Sequence, residues 1–235
     1  MSGGDRKRVA IVQSNYIPWK GYFDLIRSVD EFVLLDSAQY TKGDWRNRNR
    51  IMTPRGPSWL TIPVANGPHD RTIEATRIAA PWVPKHWALL TQNYGKAGCF
   101  AEIAPYLKAL YDGVAGETKL SGVNVAFIAG ICRLLGIGTR ISWSRDYAAD
   151  GDKTDRVVAI CRALGATHYL SGPSARAYLE IEKFSAHGIA VIYADYSGYP
   201  EYPQLHGPFE HRVSIVDLLF NVGREAPRYM KLLCP

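Results

Sequence analysis

Cysteine is scarce in this chain of 235 residues: Cys99, Cys132, Cys161 and Cys234 stand far apart and none lies in a CxxC pair. That spacing argues against a zinc knuckle and against a redox dithiol. Cys132 in IAGICRLLG and Cys161 in VVAICRALG fall within helical apolar stripes, which suits small core residues. The six histidines form no HxH or HExxH pattern, and no carboxylate cluster accompanies them, so no metal is expected. A GxSxG elbow and a catalytic-cysteine signature are missing too, which leaves covalent catalysis without support. No apolar run reaches bilayer length, and the start MSGGDRKR has no apolar stretch behind its charges. The expectation is a cytoplasmic protein with no membrane insertion.

What is present is ordinary for a globular protein: 47% hydrophobic and 21% charged residues, enough chain to bury a core. With no internal repeat, low-complexity stretch or linker, residues 1–235 are read as a single domain. The formal net charge is +6. Such basicity suits nucleic acid, phosphates, nucleotide sugars, coenzyme A or an acidic carrier protein alike. Part of it is local. In DWRNRNR, Arg46, Arg48 and Arg50 alternate with Asn47 and Asn49, so on a strand the two sets face opposite ways.

RVAIVQ reads as a strand apolar on both faces, GYFDLIRSV as a short helix and EFVLLD as a second buried strand, a βαβ start. WRNRNRIM, SWLTIPV and RTIEATRI have β character and suggest an antiparallel extension. Helices are expected from about Val83 to Gly95, over 100–114, over 120–136 capped by Ser121, over 153–165 capped by Thr154, over 173–188 and over 213–223. Strands TRISWS, THYLSG and IAVIYADY alternate with the later helices. The fold class is therefore α/β: a mostly parallel, mixed, Rossmann-like sheet flanked by helices.

Chemistry gathers where such sheets bind ligands, after the carboxyl ends of strands. QSNYIPWKGYF follows the first strand, and Gln13, Tyr16, Trp19 and Tyr22 exceed what a turn needs. Trp19 and Tyr22 suit core packing as well. Asp36, ending the second strand, is the acid/base candidate, because partial burial would raise its pKa. It suits a turn cap or an arginine partner equally. Gln39 is placed to orient a ligand amide or hydroxyl. Arg48 and Arg50 can hold an oxyanion, or can be the charges of a solvated edge strand. Ser171 and Ser174 in SGPS can form a small anion pocket or an N-cap. His206 in YPQLHGPF is the second acid/base candidate, accompanied by Tyr202 and Gln204.

The ordered series VAIVQSNYIPWKGYFDLI, DEFVLLDSAQY, WRNRNRI, WLTIPV, KHWALLTQNYG, YLSGPSARAYL, YPQLHGPF and SIVDLLFNVG resembles the WbqC-like family from about residue 8 to 223. The matching positions are Gln13, Tyr22, Asp36, Gln39, Trp45, Asn47, Arg48, Asn49, Asn93, Tyr94, Ser171, Tyr202, Gln204 and His206. Ser14 departs from the pattern, since the resemblance implies proline after Gln13. The resemblance implies O-antigen or other glycan biosynthesis, or specialised-metabolite pathways, and an acyl or aminoacyl group attached to an amine.

Three functions follow as expectations. The first is a transferase with Asp36 or His206 as base, and Asn47, Asn49 or the Ser171 loop on the oxyanion. Arg48 and Arg50 would hold donor phosphate, and Trp19 or Trp45 would stack on a sugar or base. Its acceptor is an amine or amino sugar, and its donor a phosphopantetheine thioester, on coenzyme A or an acidic carrier protein; no tightly bound cofactor is expected. The second is a nucleotide-dependent ligase or nucleotidyltransferase, and the third a non-catalytic nucleotide-sugar-binding protein. Nucleic acid is the weakest partner, because no RNA-binding module pattern is present.

Overall fold

Apolar runs too short for helices make the frame. In the computed structural model, which describes residues 6–149, 151 and 153–233, they form five parallel strands. These are β1 (Arg8–Val12), β2 (Glu31–Leu34), β5 (Arg140–Trp143), β6 (His168–Ser171) and β7 (Ala190–Tyr193), ordered β5-β2-β1-β6-β7. The order reverses between β1 and β6, so the loops leaving those two strands part at the carboxyl edge.

Alternation along the strands sends side chains to opposite faces, and each face has its own layer. Ala10, Phe32, Leu34 and Leu170 pack against α1 (Lys20–Arg27), α2 (Val83–Tyr94), α3 (Phe100–Gly113), α4 (Leu120–Leu134) and α7 (Ile215–Val222). Val9, Ile11, Val33 and Tyr169 pack against α5 (Lys153–Ala163) and α6 (Ile181–Ser185). Cys132 and Cys161 are buried as expected, and burial pushes both thiols up to about 12. Cys234 and the start of MSGGDRKR lie outside the described residues. No helix among the described residues is long and apolar enough to cross a membrane.

The antiparallel element is smaller than the sequence suggests. β3 (Arg48–Ile51) and β4 (Ser58–Thr61) pair with each other as a separate two-stranded sheet. RTIEATRI makes only isolated bridges. Thr72 explains this: its Oγ1 accepts from Ala75 N and its carbonyl accepts from Thr76 Oγ1, so a local turn competes with the ladder. The helix expected over 173–188 is broken into a 3-10 turn at Pro173–Ala177 and the five-residue α6. Leu179 and Phe184 reach the core while Tyr178 and Ile181 stay exposed, and a five-residue step fits no single helical stripe. Two caps also differ. Ser121 and Thr154 lie inside the first turns of α4 and α5.

The loop between β1 and α1 is bolted down at Asp36. The Asp36 carboxylate is 1% exposed and accepts from Ser14 N–H at 2.8 Å, from Ser14 Oγ at 2.8 Å and from Ser121 Oγ. A proline at position 14 offers neither of the first two donors, so the departure at Ser14 has a physical use here. Asn124 Nδ2 extends the knot to Ser14 Oγ and to the Arg46 carbonyl.

Three residues after Ser14, Ile17 has φ +34°, a left-handed conformation that a β-branched residue adopts only under strain. Its carbonyl accepts from Asn49 Nδ2 at 3.0 Å and Ser214 Oγ at 2.7 Å, and its side chain is fully buried. Asn49 also donates to the Tyr16 carbonyl. The hairpin and the start of α7 therefore hold the loop in a shape it would not keep alone.

Asp36→Ala strands Ser14 N–H and two hydroxyls in a dry site. At about 1–3 kcal/mol per stranded group, the expected loss is about 3 kcal/mol or more. It is read as a lower urea midpoint with unchanged slope. A shift equivalent to less than about 1 kcal/mol would show that Asp36 does not anchor the loop.

Candidate functional site

The bolted loop forms one wall of a cleft of about 610 Å³ at the carboxyl edge of the sheet. Asn15, Pro18 and Trp19 come from this loop, Trp45 and Asn49 from the hairpin, Tyr196 to Tyr199 from the segment after β7, and His211 and Arg212 from the approach to α7. Flat aromatic faces with a few placed polar groups are the usual lining of a small-molecule site. Among the described residues no carboxylate lines it, and the Arg212 cation is the one formal charge.

Each wall has a traceable cause. The Trp19 ring folds back over Gly21, where an added Cβ would lie 2.3 Å from the indole, so this turn of α1 needs glycine. Tyr196 and Tyr199 then meet Trp19 edge-on at 5.1 and 5.7 Å between ring centres. Behind Tyr199, Lys20 is buried, with Nζ 4.7 Å from that ring centre and 3.2 Å from the Pro200 carbonyl it donates to. Burial pulls the Lys20 ammonium down to about 8, against the opposing pull of Asp24.

Arg46 sets the polar side. Its guanidinium donates to Asn15 Oδ1 and Gln13 Oε1, with Asp44 at 3.6 Å. A guanidinium only donates, so both amide oxygens must face it, which leaves the Asn15 amide N–H groups for other acceptors. His211 packs edge-on against Phe209 at 4.5 Å, and its Nδ1 is buried without a partner. Burial first, then Lys20, pulls the imidazole below its usual pKa, which favours its neutral form.

Of the residues expected from sequence to contact substrate, Trp19, Trp45 and Asn49 line this cleft. Asn49 is spent on the Tyr16 and Ile17 carbonyls and on Arg50 N–H. Gln13 stands behind Asn15 on Arg46, and Tyr22 donates to the Gln13 carbonyl at 3.0 Å. Arg48 and Arg50 flank the cleft on the hairpin, stacked on Trp59. Asn47 is buried and donates to the Ile62 carbonyl.

The others are placed elsewhere. Tyr16 lies in the core, where its hydroxyl meets Tyr111 Oη and His86 Nδ1, each at 2.8 Å. Tyr94, Tyr202 and Gln204 all donate to the buried Asp217 carboxylate, at 2.7, 2.8 and 2.9 Å. His206 Nε2 donates to the Asn93 carbonyl at 2.8 Å, while Asn93 Nδ2 bonds Leu89 within α2. Together these tie the 202–210 loop onto α2 and α7. Gln39 is exposed on His69, and Ser171 is buried beneath Tyr169. Ser174 is exposed in a 3-10 turn rather than at a helix start.

Sequence reasoning left Arg46, Tyr196, Tyr199, His211 and Arg212 outside the site. The available signal was the aromatic density of YSGYPEYPQLHGPFEHR, which no strand or helix period explains.

Two buried groups near and behind the cleft give opposing pH dependences. Burial pushes Asp24 up to about 6, opposed by hydrogen bonds from Tyr199 Oη and Lys231 N–H; Oδ1 accepts no hydrogen bond and faces Arg27 at 3.9 Å. As pH falls from 7 to 4, folded Asp24 takes its proton before the unfolded chain does, which adds stability. Burial pulls His86 down to about 4, so there the unfolded chain protonates first and stability is lost over the same window. Asp217 is raised, mainly by burial, and acts with Asp24. Asp24→Asn keeps an acceptor for Tyr199 and removes the compensating gain. Between pH 7 and pH 4 the variant is expected to lose roughly 2–3 kcal/mol more than the parent. Parallel denaturant titrations in that window check this.

Comparison with known proteins agrees with this architecture in extent. The WbqC-like protein family matches residues 13–229. The "Uncharacterized protein Rv1507c" of Mycobacterium tuberculosis (strain ATCC 25618 / H37Rv) is 50% identical over 227 residues, spanning 96% of this chain and 98% of that protein. No solved structure matches. A family match that runs from the loop behind Asn15 through His211 and beyond covers every wall of the cleft, and on that basis the chain belongs to the WbqC-like protein family.

Proposed function

We propose that the cleft binds an amine, most simply an amino sugar, and that the protein transfers an acyl or aminoacyl group to it from a thioester. One observation carries the reading: the His211 imidazole lines an aromatic cleft with no carboxylate among its described residues. Trp19 and Tyr199 offer the apolar faces that a sugar ring covers, and Asn15 offers amide N–H groups already oriented by Arg46.

The chemistry follows from those groups. The amine nitrogen attacks the thioester carbonyl carbon, and His211 takes the proton it sheds. The carbonyl oxygen becomes an oxyanion and accepts from the Asn15 amide, a donor fixed before the reaction begins. Collapse breaks the C–S bond, and the His211 imidazolium returns the proton to the thiolate. No covalent enzyme intermediate is needed, so both substrates meet in one complex. Asp36 and His206 serve as positioning residues in this scheme, the first through the loop that bears Asn15 and the second through the 202–210 loop.

The test supplies the purified protein with amino sugars, with acyl and aminoacyl thioesters on coenzyme A and on carrier protein, and follows product mass. Transfer is expected, and His211→Ala should lower kcat by about 10²–10⁴-fold with acceptor binding retained. Asn15→Ala should lower kcat by a comparable 10²–10³-fold, about the effect of removing an oxyanion donor. Saturable amine binding with no transfer from any thioester would sink the transferase and leave a binding protein.

A further inference from the structure

The outer face of the hairpin carries a feature that the transfer chemistry does not use. Trp45 and Trp59 are 39% and 42% exposed, and their rings meet at 5.3 Å between centres. Trp45 lines the cleft, so the pair continues the aromatic surface out of its mouth. Arg48 lies flat on Trp59, with its guanidinium carbon 4.1 Å from the ring centre. Arg50 stands opposite Trp59 in the β3–β4 register, 5.9 Å from the same ring.

The two arginines are not equivalent. Arg50 is engaged, donating to the Arg212 carbonyl at 2.7 Å and facing Glu210 at 3.9 Å. The Arg48 side chain makes no hydrogen bond or ion pair among the described residues, while the Nε of both arginines is buried without a hydrogen-bond partner. Glu210, which faces Arg50, is also the acceptor for Arg212 N–H. An Arg fork whose counter-ion is missing, held rigid by stacking and set beside an exposed indole, matches an oxyanion joined to a flat ring.

We propose that Arg48, Trp59 and Trp45 form a nucleoside diphosphate subsite at the mouth of the cleft. Arg48 binds the phosphates bidentately, Arg212 on the cleft side adds a second cation, and an exposed indole stacks on the base. The group attached to the diphosphate then extends inward towards Trp19 and His211. Nucleotide sugars and coenzyme A both carry a nucleoside diphosphate, and the subsite chemistry is common to them. The inference rests on the preceding reading only for which end enters the cleft; the subsite itself stands on the hairpin.

Isothermal titration of the full chain with UDP, ADP and coenzyme A tests it, with no turnover required. Saturable binding is expected for at least one, weakened at least tenfold in Arg48→Gln and in Trp59→Ala, and only partly retained in Arg48→Lys. Binding of UDP alone assigns the subsite to a nucleotide sugar, whereas binding of coenzyme A and ADP assigns it to the thioester donor. The titrations read binding alone, so a failed transferase assay leaves this result standing. Lack of binding of all three at millimolar concentration overturns the subsite. So does parental affinity in both Arg48→Gln and Trp59→Ala, with circular dichroism showing both variants folded.

Discussion

The buried carboxylate of Asp36 is the constraint on which the cleft depends. Three donors from two separate elements converge on it, so the end of β2, the loop after β1 and the start of α4 become one rigid corner. A carboxylate so enclosed is stabilising only while every donor stays in place. Asn124 then locks the same corner to the Arg46 carbonyl, and Arg46 in turn aims Asn15 and Gln13. The chain from the packed anion to the oriented amide is five residues long: Asp36, Ser14, Asn124, Arg46 and Asn15.

That corner also accounts for strain in the loop. Ile17 in a left-handed conformation costs energy that the fold recovers through its buried side chain and through Asn49 and Ser214 on its carbonyl. Because Asn49 belongs to the hairpin and Ser214 caps α7, three distant segments must be assembled before the loop takes its shape. The same three segments supply three of the cleft walls, and Tyr196 to Tyr199 after β7 supply the fourth. Site formation and completion of the fold are therefore one event.

A second buried carboxylate, Asp217, does for the far side what Asp36 does for the near side. Tyr94, Tyr202 and Gln204 surround it, and His206 fixes the same loop to α2. Polar and aromatic residues concentrated in loops after strands suggested ligand contact, and several proved to be braces. The distinction is physical. A polar residue on a ligand and a polar residue on a buried carboxylate need the same side chains, and only the location of the partner separates them.

Much of the frame was legible because it rests on local periodicity. Short apolar runs between helical stripes specified parallel strands covered on both faces, and the alternation in RNRNR placed its arginines and asparagines on opposite faces of β3. The break at Tyr178 to Glu180 and the turn at Thr72 were not legible, since side-chain hydrogen bonding and core access overrode pattern there. The sequence by itself determined the α/β class, the carboxyl-edge location of the cleft and Trp19 and Trp45 as candidates for its walls. Tertiary structure alone decided that Asn15, His211 and Arg212 share a cleft, and that Asp36 and His206 brace it. Those residues lie up to two hundred positions apart, and no period of 2 or 3.6 carries information across a chain reversal in the sheet.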